Sequence, residues 1–131
     1  MEAEGVSLPA EAFPLADGTC FVRVLETIQI AQRHKLSRKG LNETLKAIHR
    51  NAAAYVAIAA DADPIDIVMS LPESCEQRGV PFVFVPSGDA LGRAAGLSAF
   101  AAAIVILNSD NEHITPLMDR LVEATERLYV L

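Results

Sequence analysis

Apolar residues recur at helical spacing near the start of the chain. Phe21, Leu25 and Ile28 follow the i, i+4, i+7 pattern that places side chains on one face of a helix. Asp17 stands just before this pattern and has a side chain suited to capping a helix. The pattern therefore predicts a helix that begins after Asp17 and ends around Lys35.

A second amphipathic pattern follows Gly40. Its apolar stripe consists of Leu41, Leu45 and Ile48, which predicts a helix packed on a core. The outer face is polar and basic, and carries Asn42, Lys46 and Arg50.

Three apolar runs, at residues 54–60, 81–85 and 101–107, have the length and composition of buried strands. A helix-start signal follows each of them, at Asp63 and Pro64, at Ser87 or Gly88, and at Thr115 and Pro116. We expect the second of these helices to end near Gly96 and the last to run through Leu117, Leu121 and Leu128. Alternating short strands and helices predict an α/β sandwich with helices on both faces of the sheet.

The length of 131 residues fits one domain, and 51% hydrophobic residues suffice for one buried core. Residues 1–14 contain two prolines and no periodicity, so we expect an extended N-terminal arm and a single domain over residues 15–131. The longest apolar stretch is about nine residues against the ~20 that cross a bilayer, so no membrane partner is expected. We expect a monomer when the protein is free.

Histidine and cysteine side chains show no metal-ligand spacing. The three histidines, His34, His49 and His113, are far apart in the sequence, as are Cys20 and Cys75. We therefore expect no metal site, no cofactor and no disulfide framework.

Positive charge is concentrated between residues 33 and 50. This segment holds six basic residues and a single acid, a charge of +5, whereas the whole chain carries −6 and the remainder therefore −11. Such a distribution favours an anion at one place and repels it elsewhere. The alternative is an ordinary solvated helix face.

The residue types in this segment favour a nucleic acid as the anion. Gly40 permits a close backbone approach, and the helix start that follows offers unpaired amides. Asn42 can donate and accept hydrogen bonds, ionised Glu43 only accepts them, and Lys46 only donates them. This set can discriminate base edges. Alternatively, Glu43 is a capping residue or the i, i+3 partner of Lys46.

Acidic residues after the first predicted strand suggest a different function. Asp61 and Asp63 could serve a small Mg²⁺-dependent phosphohydrolase, with one carboxylate as nucleophile. Such an enzyme needs a lysine from a downstream loop, and all three lysines lie upstream. The structural alternative makes Asp63 a helix N-cap, Pro64 the first helical residue and Asp66 a first-turn acid.

Glycine recurs every fourth residue at Gly88, Gly92 and Gly96, without the ending of a phosphate-binding P-loop. We expect a thin helix face that packs closely on the sheet, with Arg93 able to reach an RNA backbone. The apolar loop at residues 98–102 centres on Phe100, which either stacks on a base or folds into the core.

Several segments together resemble the kink-turn RNA-binding protein family. They are FPLAD (13–17), RKGLNETLK (38–46), AADADPIDI (59–67), LPESCEQRGVPFVFV (71–85) and ALGRAAG (90–96). Within the family the likeness is greatest to the eukaryotic members shared by the spliceosomal tri-snRNP and box C/D small nucleolar ribonucleoproteins, which are related to the archaeal ribosomal kink-turn binder. The resemblance implies a three-layer α/β/α sandwich with a central mixed sheet of about four short strands.

The resemblance also implies a non-enzymatic function. Such a protein binds and stabilises kink-turn RNA, in which a bulge and tandem sheared G·A pairs bend the helix, in box C/D small nucleolar and spliceosomal small nuclear RNAs. It thereby nucleates ribonucleoprotein assembly for pre-rRNA processing and pre-mRNA splicing. Nop-domain proteins as partners, and a location in the nucleus and nucleolus, are implied as well.

By this resemblance, residues that contact RNA can be assigned. The G·A pairs would be contacted by Gly40, Asn42, Glu43 and Lys46, and the backbone by Arg38 and Lys39. An extruded bulge nucleotide would lie against Asp63 and Ile67. Further contacts are expected from Arg93, Ala99 and Phe100.

The chain also departs from the family pattern. Relatives typically carry Glu at the position of Asp63, Lys at that of Gly88, Arg-Pro at that of Ala99 and Phe100, and a basic residue at that of Pro86. Fewer cations predict weaker or more magnesium-dependent RNA binding. A protein-interaction module, in which the basic segment meets an acidic partner, is the remaining alternative.

Overall fold

The structure, a computed structural model, describes residues 8–130. Within them the α-helices are α1 (Gly18–Arg33), α2 (Leu41–His49), α3 (Ser70–Arg78), α4 (Gly88–Ala94) and α5 (Thr115–Glu126). The strands are β1 (Ser37–Lys39), β2 (Ala53–Ala59), β3 (Phe82–Val85) and β4 (Ala103–Leu107). Short 3₁₀ helices lie at Ile65–Val68 and Arg127–Tyr129.

The four strands form one mixed sheet in the order β1-β4-β2-β3. β2 and β3 are parallel, and β4 runs antiparallel to both β1 and β2. The central strand β2 is covered on both faces, which explains why its sequence is continuously apolar.

Alternating residues of the strands point into two separate cores. On one face, Tyr55 and Ala57 pack with residues of α1, α4 and α5. On the other face, Val56 and Ile58 pack with residues of α2 and α3. The predicted three-layer α/β/α sandwich around a mixed sheet is therefore confirmed.

The first predicted helix is present, with a shifted buried stripe. Asp17 caps α1 as predicted, because its Oδ1 accepts a hydrogen bond of 2.8 Å from the Cys20 amide. Phe21 and Leu25 are only half-buried, whereas the buried positions of the helix are Cys20, Val24, Thr27, Ile28 and Ala31. The helix ends at Arg33 rather than Lys35.

The hydrophobic pattern did not locate β1. Its three residues include two exposed cations, Arg38 and Lys39, and no apolar run. The strand exists because Arg38 pairs with Val105 and Lys39 with Ile104 of β4. An edge strand of this kind depends on its neighbour and is often charged.

The predicted helix start at Asp63 and Pro64 is wrong. Pro64 has an extended backbone with ψ of 152°, so a helix cannot begin there. A 3₁₀ turn starts at Ile65, with Asp66 as its acidic first-turn residue, and α3 begins at Ser70.

The other predicted elements are confirmed, with bounds shifted by a few residues. The strands occupy Ala53–Ala59, Phe82–Val85 and Ala103–Leu107. Ser87 caps α4 by accepting a hydrogen bond of 3.0 Å from the Ala90 amide, and α5 begins at Thr115. Cys20 and Cys75 are buried free thiols on α1 and α3.

The described part of the N-terminal arm lies against the domain. Ala12 is buried and Leu8 packs against the core shared with α2 and α3. The boundary between arm and domain stays a prediction, since residues 1–7 lie outside the described residues. No helix within residues 8–130 is long and apolar enough to cross a membrane.

Candidate nucleic-acid interface

Most of the predicted contact residues lie towards one edge of the sheet. β1, β2 and β3 run in the same direction and β4 runs opposite, so the carboxyl ends of three strands lie beside the start of β4. Ala59 pairs with Val85, and Ile58 with Ala103, at this edge. We call it the carboxyl edge. It collects the start of α2, the loop 60–64, the start of α4 and the loop 98–102.

Gly40 joins β1 to α2 at the carboxyl edge. Its φ of +93° lies in a region that side chains disfavour. Its amide donates a 2.8 Å hydrogen bond to the Ala103 carbonyl. Its own carbonyl accepts bonds from the Thr44 amide and from Thr44 Oγ1. The start of α2 is thus fixed to β4 and to its own first turn.

The first turn of α2 is open to a ligand. No side chain caps it, so first-turn amides that lack an intrahelical acceptor face outwards. Asn42, Glu43 and Lys46 are exposed, whereas Thr44 and Ile48 are buried. The helix therefore presents the three predicted side chains to solvent beside its positive end.

Glu43 and Lys46 form an ion pair in the free protein. Lys46 Nζ lies 3.3 Å from Glu43 Oε2, and the two side chains are 48–49% exposed. This is the i, i+3 partnership considered from the sequence. An exposed pair contributes about 0–1 kcal/mol, so exchanging it for contacts with a ligand costs little.

Arg38 and Lys39 are exposed on β1. The Arg38 guanidinium donates to the carbonyls of Ser37 (2.8 Å) and Lys35 (3.2 Å). Both cations line a small cavity of about 190 Å³ that Gln32 and Leu97 also border. Arg38 is thereby held against its own chain, whereas no hydrogen bond within residues 8–130 holds the Lys39 side chain.

The basic segment does not form one patch. Lys35 and Arg50 adjoin residues that hydrogen-bond to Leu107 and Asn108, at the opposite edge of the sheet. Arg33 ends α1 on that side as well. The prediction that residues 33–50 concentrate six cations at one place is therefore corrected, because helix α2 runs the full height of the sheet and separates its two ends.

Asp61, in loop 60–64, has a structural role. Asp61 Oδ1 accepts a 2.9 Å hydrogen bond from the Gly88 amide, which joins the loop after β2 to the start of α4. Asp63 is exposed and borders a cavity of about 320 Å³. Within the described residues, no three His, Cys, Asp or Glu side chains are grouped to hold a metal ion. The arrangement lends no support to a phosphohydrolase.

Leu8 and Pro9 also line the cavity beside Asp63. The sequence offered no signal for them, because residues 1–14 have no periodicity. Ile67 follows in the 3₁₀ turn and is 45% exposed, which is unusual for a large apolar side chain. Leu8 and Pro9 thus place apolar surface in the cavity that Asp63 borders.

The glycines of α4 receive the loop 98–102 rather than the sheet. A Cβ added to Gly92 would lie 1.9 Å from the Ala99 carbonyl oxygen, and one added to Gly88 would lie 2.3 Å from the Phe100 ring. Phe100 is 44% exposed, so it does not fold into the core. Arg93 is exposed in the last turn of α4, further from the carboxyl edge.

The segment that contains these residues matches a known protein family. Residues 23–115 match the Ribosomal protein L7Ae/L30e/S12e/Gadd45 family. The chain belongs to this family. The matched range contains every predicted contact residue, and the family resemblance predicted from the sequence is confirmed.

Named relatives of the family are similar over most of their length. The chain is 39% identical to NHP2-like protein 1 of Xenopus tropicalis, covering 92% of this chain and 94% of the relative. It is also 39% identical to the 13 kDa ribonucleoprotein-associated protein of Mycosarcoma maydis, covering 92% and 95%. None of these names describes an enzyme, and family membership confirms the prediction of a non-enzymatic protein.

A solved structure shares the fold. The Giardia lamblia 15.5kD RNA binding protein superposes with a TM-score of 0.88 at 36% identity, covering 92% of this chain and 99% of that one. This agreement confirms the predicted fold class.

Proposed function

We propose that the protein binds kink-turn RNA and stabilises its bend. One observation carries the proposal: α2 begins at the carboxyl edge with uncapped amides and with Asn42, Glu43 and Lys46 exposed. The names of its relatives, a ribonucleoprotein-associated protein and an RNA binding protein, support an RNA ligand. The proposed RNAs are box C/D small nucleolar and spliceosomal small nuclear RNAs.

The chemistry of the α2 surface favours distorted RNA. The deep groove of a regular RNA duplex does not admit side chains to the base edges, whereas a bent helix opens it. In the proposed complex, Asn42, Glu43 and Lys46 bond to the exposed edges of sheared G·A pairs. Glu43 accepts hydrogen bonds from base amino or imino protons, as an ionised carboxylate can. A site that binds only phosphate would not need such an acceptor.

Charge limits the affinity of the proposed complex. With Lys35 and Arg50 at the opposite edge, few cations remain to neutralise phosphates, and the whole chain carries −6. Each phosphate contact adds affinity through counterion release. We therefore propose weaker or more magnesium-dependent binding than a basic relative would show.

The test is a titration of a labelled box C/D kink-turn RNA, beside the same RNA with Watson–Crick pairs in place of its tandem G·A pairs. Tight binding of the first RNA alone supports the proposal. Equal binding of both, or binding of neither, contradicts it and favours the protein-interaction alternative.

Glu43→Ala provides the sharpest variant. If α2 attracts RNA by charge alone, removing an acid strengthens binding. If Glu43 bonds to base edges, its loss weakens binding roughly 5- to 150-fold, the equivalent of about 1–3 kcal/mol. Arg120→Ala, an exposed change on α5 on the other side of the sheet, is the matched control and leaves affinity unchanged.

Ribonucleoprotein assembly is the second part of the proposal. A bent RNA held by this protein removes the ordering cost for a second protein, and we propose Nop-domain proteins as that partner, in the nucleus and nucleolus. A Nop-domain protein added to the RNA should bind only after this protein. Binding that is independent of order contradicts this part.

A further inference from the structure

Three helices end in the same kind of turn at the edge of the sheet opposite the carboxyl edge. After α1, α2 and α3, the turn residue with positive φ is Lys35, Asn51 and Gly79, respectively. The amide that follows each of these residues donates to the carbonyl five positions earlier, as in a Schellman motif. The three turns lead into β1, β2 and β3. We call this edge the amino edge, formed by residues 33–36, 49–52, 78–81 and 107–114.

Hydrogen bonds and stacking join these segments into one surface. Asn108, which follows β4, donates from Nδ2 to the Asn51 carbonyl at 3.0 Å. Arg78 donates from Nη1 to Asn51 Oδ1, also at 3.0 Å. Further along loop 107–114, the His113 ring stacks on the His34 ring with centroids 5.4 Å apart. The turns after all three helices therefore belong to one continuous edge.

The amino edge is basic in a chain that is acidic overall. All three histidines of the sequence lie here, together with four exposed cations, Arg33, Lys35, Arg50 and Arg78. Two acids, Asp110 and Glu112, lie in loop 107–114, and Asp119 of α5 borders a cavity beside that loop. The amino edge thus carries a fixed charge of +2, whereas the rest of the chain carries −8. No ion pair within residues 8–130 includes any of the four cations, so the surface favours an anionic partner.

Lys35 occupies a backbone position that favours other residue types. Its φ is +59°, in the left-handed region that glycine and asparagine adopt most readily. The equivalent turns indeed contain Asn51 and Gly79. A lysine here costs stability relative to glycine, and residues held in such conformations cluster at functional sites. The exposed Lys35 ammonium therefore indicates a role outside the turn.

The composition of the amino edge favours RNA over a protein as the partner. Protein interfaces have an apolar centre, whereas nucleic-acid interfaces are more polar and more positively charged. None of the large apolar side chains that are exposed within residues 8–130 lies at the amino edge. Asn108 and Ser109 are exposed there, and side chains of these types commonly contact phosphate and sugar.

We propose that the amino edge is a second RNA-binding surface, at which Lys35 and Arg50 hold the sugar-phosphate backbone of a duplex segment. Their turns lead into β1 and β2, two strand spacings or about 10 Å apart, so one duplex can contact both. The inference goes beyond the proposed function, because the carboxyl edge is not involved. A distant stem of the same RNA and a separate RNA present the same phosphates, and the RNA probes distinguish them.

Titration of a labelled Watson–Crick RNA duplex tests the assignment. The protein is first saturated with unlabelled, short-stemmed kink-turn RNA, which occupies the carboxyl edge. We expect the duplex to bind this complex, and Lys35→Gly and Arg50→Gln each to weaken duplex binding about 5- to 8-fold at about 0.1 M salt. Each variant should also reduce the slope of log affinity against log salt by about 0.7–0.9. Arg120→Gln removes the same charge from the exposed surface of α5 and should change neither quantity.

Lys35→Gly separates binding from folding. Glycine adopts a φ of +59° more readily than lysine does, so the melting temperature should rise or stay the same while duplex affinity falls. Lys35→Asn should behave in the same way, because asparagine occupies the equivalent turn after α2. A loss of duplex affinity that accompanies a lower melting temperature in both variants would contradict the assignment.

Three outcomes would overturn the proposal. They are duplex binding that the kink-turn RNA abolishes, duplex binding that neither Lys35→Gly nor Arg50→Gln weakens, and equal binding of polyglutamate and a duplex of the same charge. The last outcome would assign the amino edge to an acidic protein.

A kink-turn RNA with one long stem identifies the source of the duplex. If the segment belongs to the same RNA, the long stem should raise the affinity of the wild type but not of Lys35→Gly. Unchanged affinity, together with binding of the separate duplex, supports a second RNA molecule. The proposed function is tested apart from this inference. If the wild type does not discriminate between G·A and Watson–Crick RNA, that function is contradicted, while duplex titration of the RNA-free protein and its variants still tests the amino edge.

Discussion

At Gly40 the backbone conformation disfavours other residue types, although there is enough space for a side chain. Its φ is +93° with ψ of 160°, and an added Cβ would meet no atom within 4 Å. Gly40→Ala therefore introduces no clash, and its cost is backbone strain. A non-glycine residue held in such a region costs about 1–3 kcal/mol.

A matched control is available at Gly18. An added Cβ there also meets no atom within 4 Å, but the backbone has no positive φ and the residue begins α1. Gly18→Ala should be neutral or stabilise the protein by about 0.4–1 kcal/mol, because it restricts the unfolded chain. The two substitutions thus differ mainly in φ.

Urea denaturation measures the difference. We expect Gly40→Ala to lower the free energy of unfolding by about 1–3 kcal/mol with an unchanged m-value, while Gly18→Ala does not lower it. The melting temperature should fall by very roughly 3–15 °C for a domain of this size. If Gly40→Ala is as stable as Gly18→Ala, the backbone at position 40 relaxes without cost and the argument for a fixed start of α2 is refuted.

Three further outcomes are expected. Tyr55→Phe removes a buried 2.6 Å hydrogen bond to Thr125 and should lower the free energy of unfolding by about 0.5–1.5 kcal/mol in urea; no loss would mean that the bond has no net value. Asp61→Ala leaves the Gly88 amide without its acceptor and should cost about 1.5–3 kcal/mol, whereas Asp61→Asn keeps an acceptor oxygen and should cost less; equal losses would contradict this. Burial raises the pKa of the Cys75 thiol from 9.0 to about 12. The contribution of the protonated thiol to the free energy of unfolding is therefore complete below pH 9 and is lost as the pH rises towards 12. Alkylation of Cys75 at pH 8 should accordingly require unfolding, and rapid reaction of the native protein would refute this.

The division of the basic segment changes how charge acts in this protein. Lys39 and Lys46 remain near the carboxyl edge, while Lys35 and Arg50 lie towards the other one, and the Arg38 guanidinium reaches back to the Lys35 carbonyl. Anion attraction at the proposed interface is therefore local and modest, and the net negative surface elsewhere opposes non-specific RNA binding. For this reason, hydrogen bonding by Glu43 becomes more important in the proposed recognition.

Features that depend on local pattern could be predicted from the sequence. Capping and continuous apolar runs depend on residues that are close in the sequence. The caps at Asp17 and Ser87 and the buried strands could therefore be predicted. Five segments taken together indicated the family by resemblance, and one of them, RKGLNETLK at residues 38–46, contains the candidate residues on α2. Glycine spacing correctly indicated close packing at Gly88 and Gly92, although not the partner, but it was wrong for Gly96, which follows α4 with a φ of +78° and would meet no atom within 4 Å of an added Cβ.

Features that depend on residues distant in the chain became visible only in the folded structure. β1 exists through its pairing with β4, and the helix start predicted at Pro64 gave way to an extended backbone. The strand directions bring Gly40, Asp61 and Gly88 to one edge, and the same directions separate Lys35 and Arg50 from it. The Phe100 ring lies on Gly88 because the loop before β4 is bonded to α4, a contact that spacing along the sequence does not encode. Such pairings follow from the packing of the whole sheet, so local propensity does not predict them.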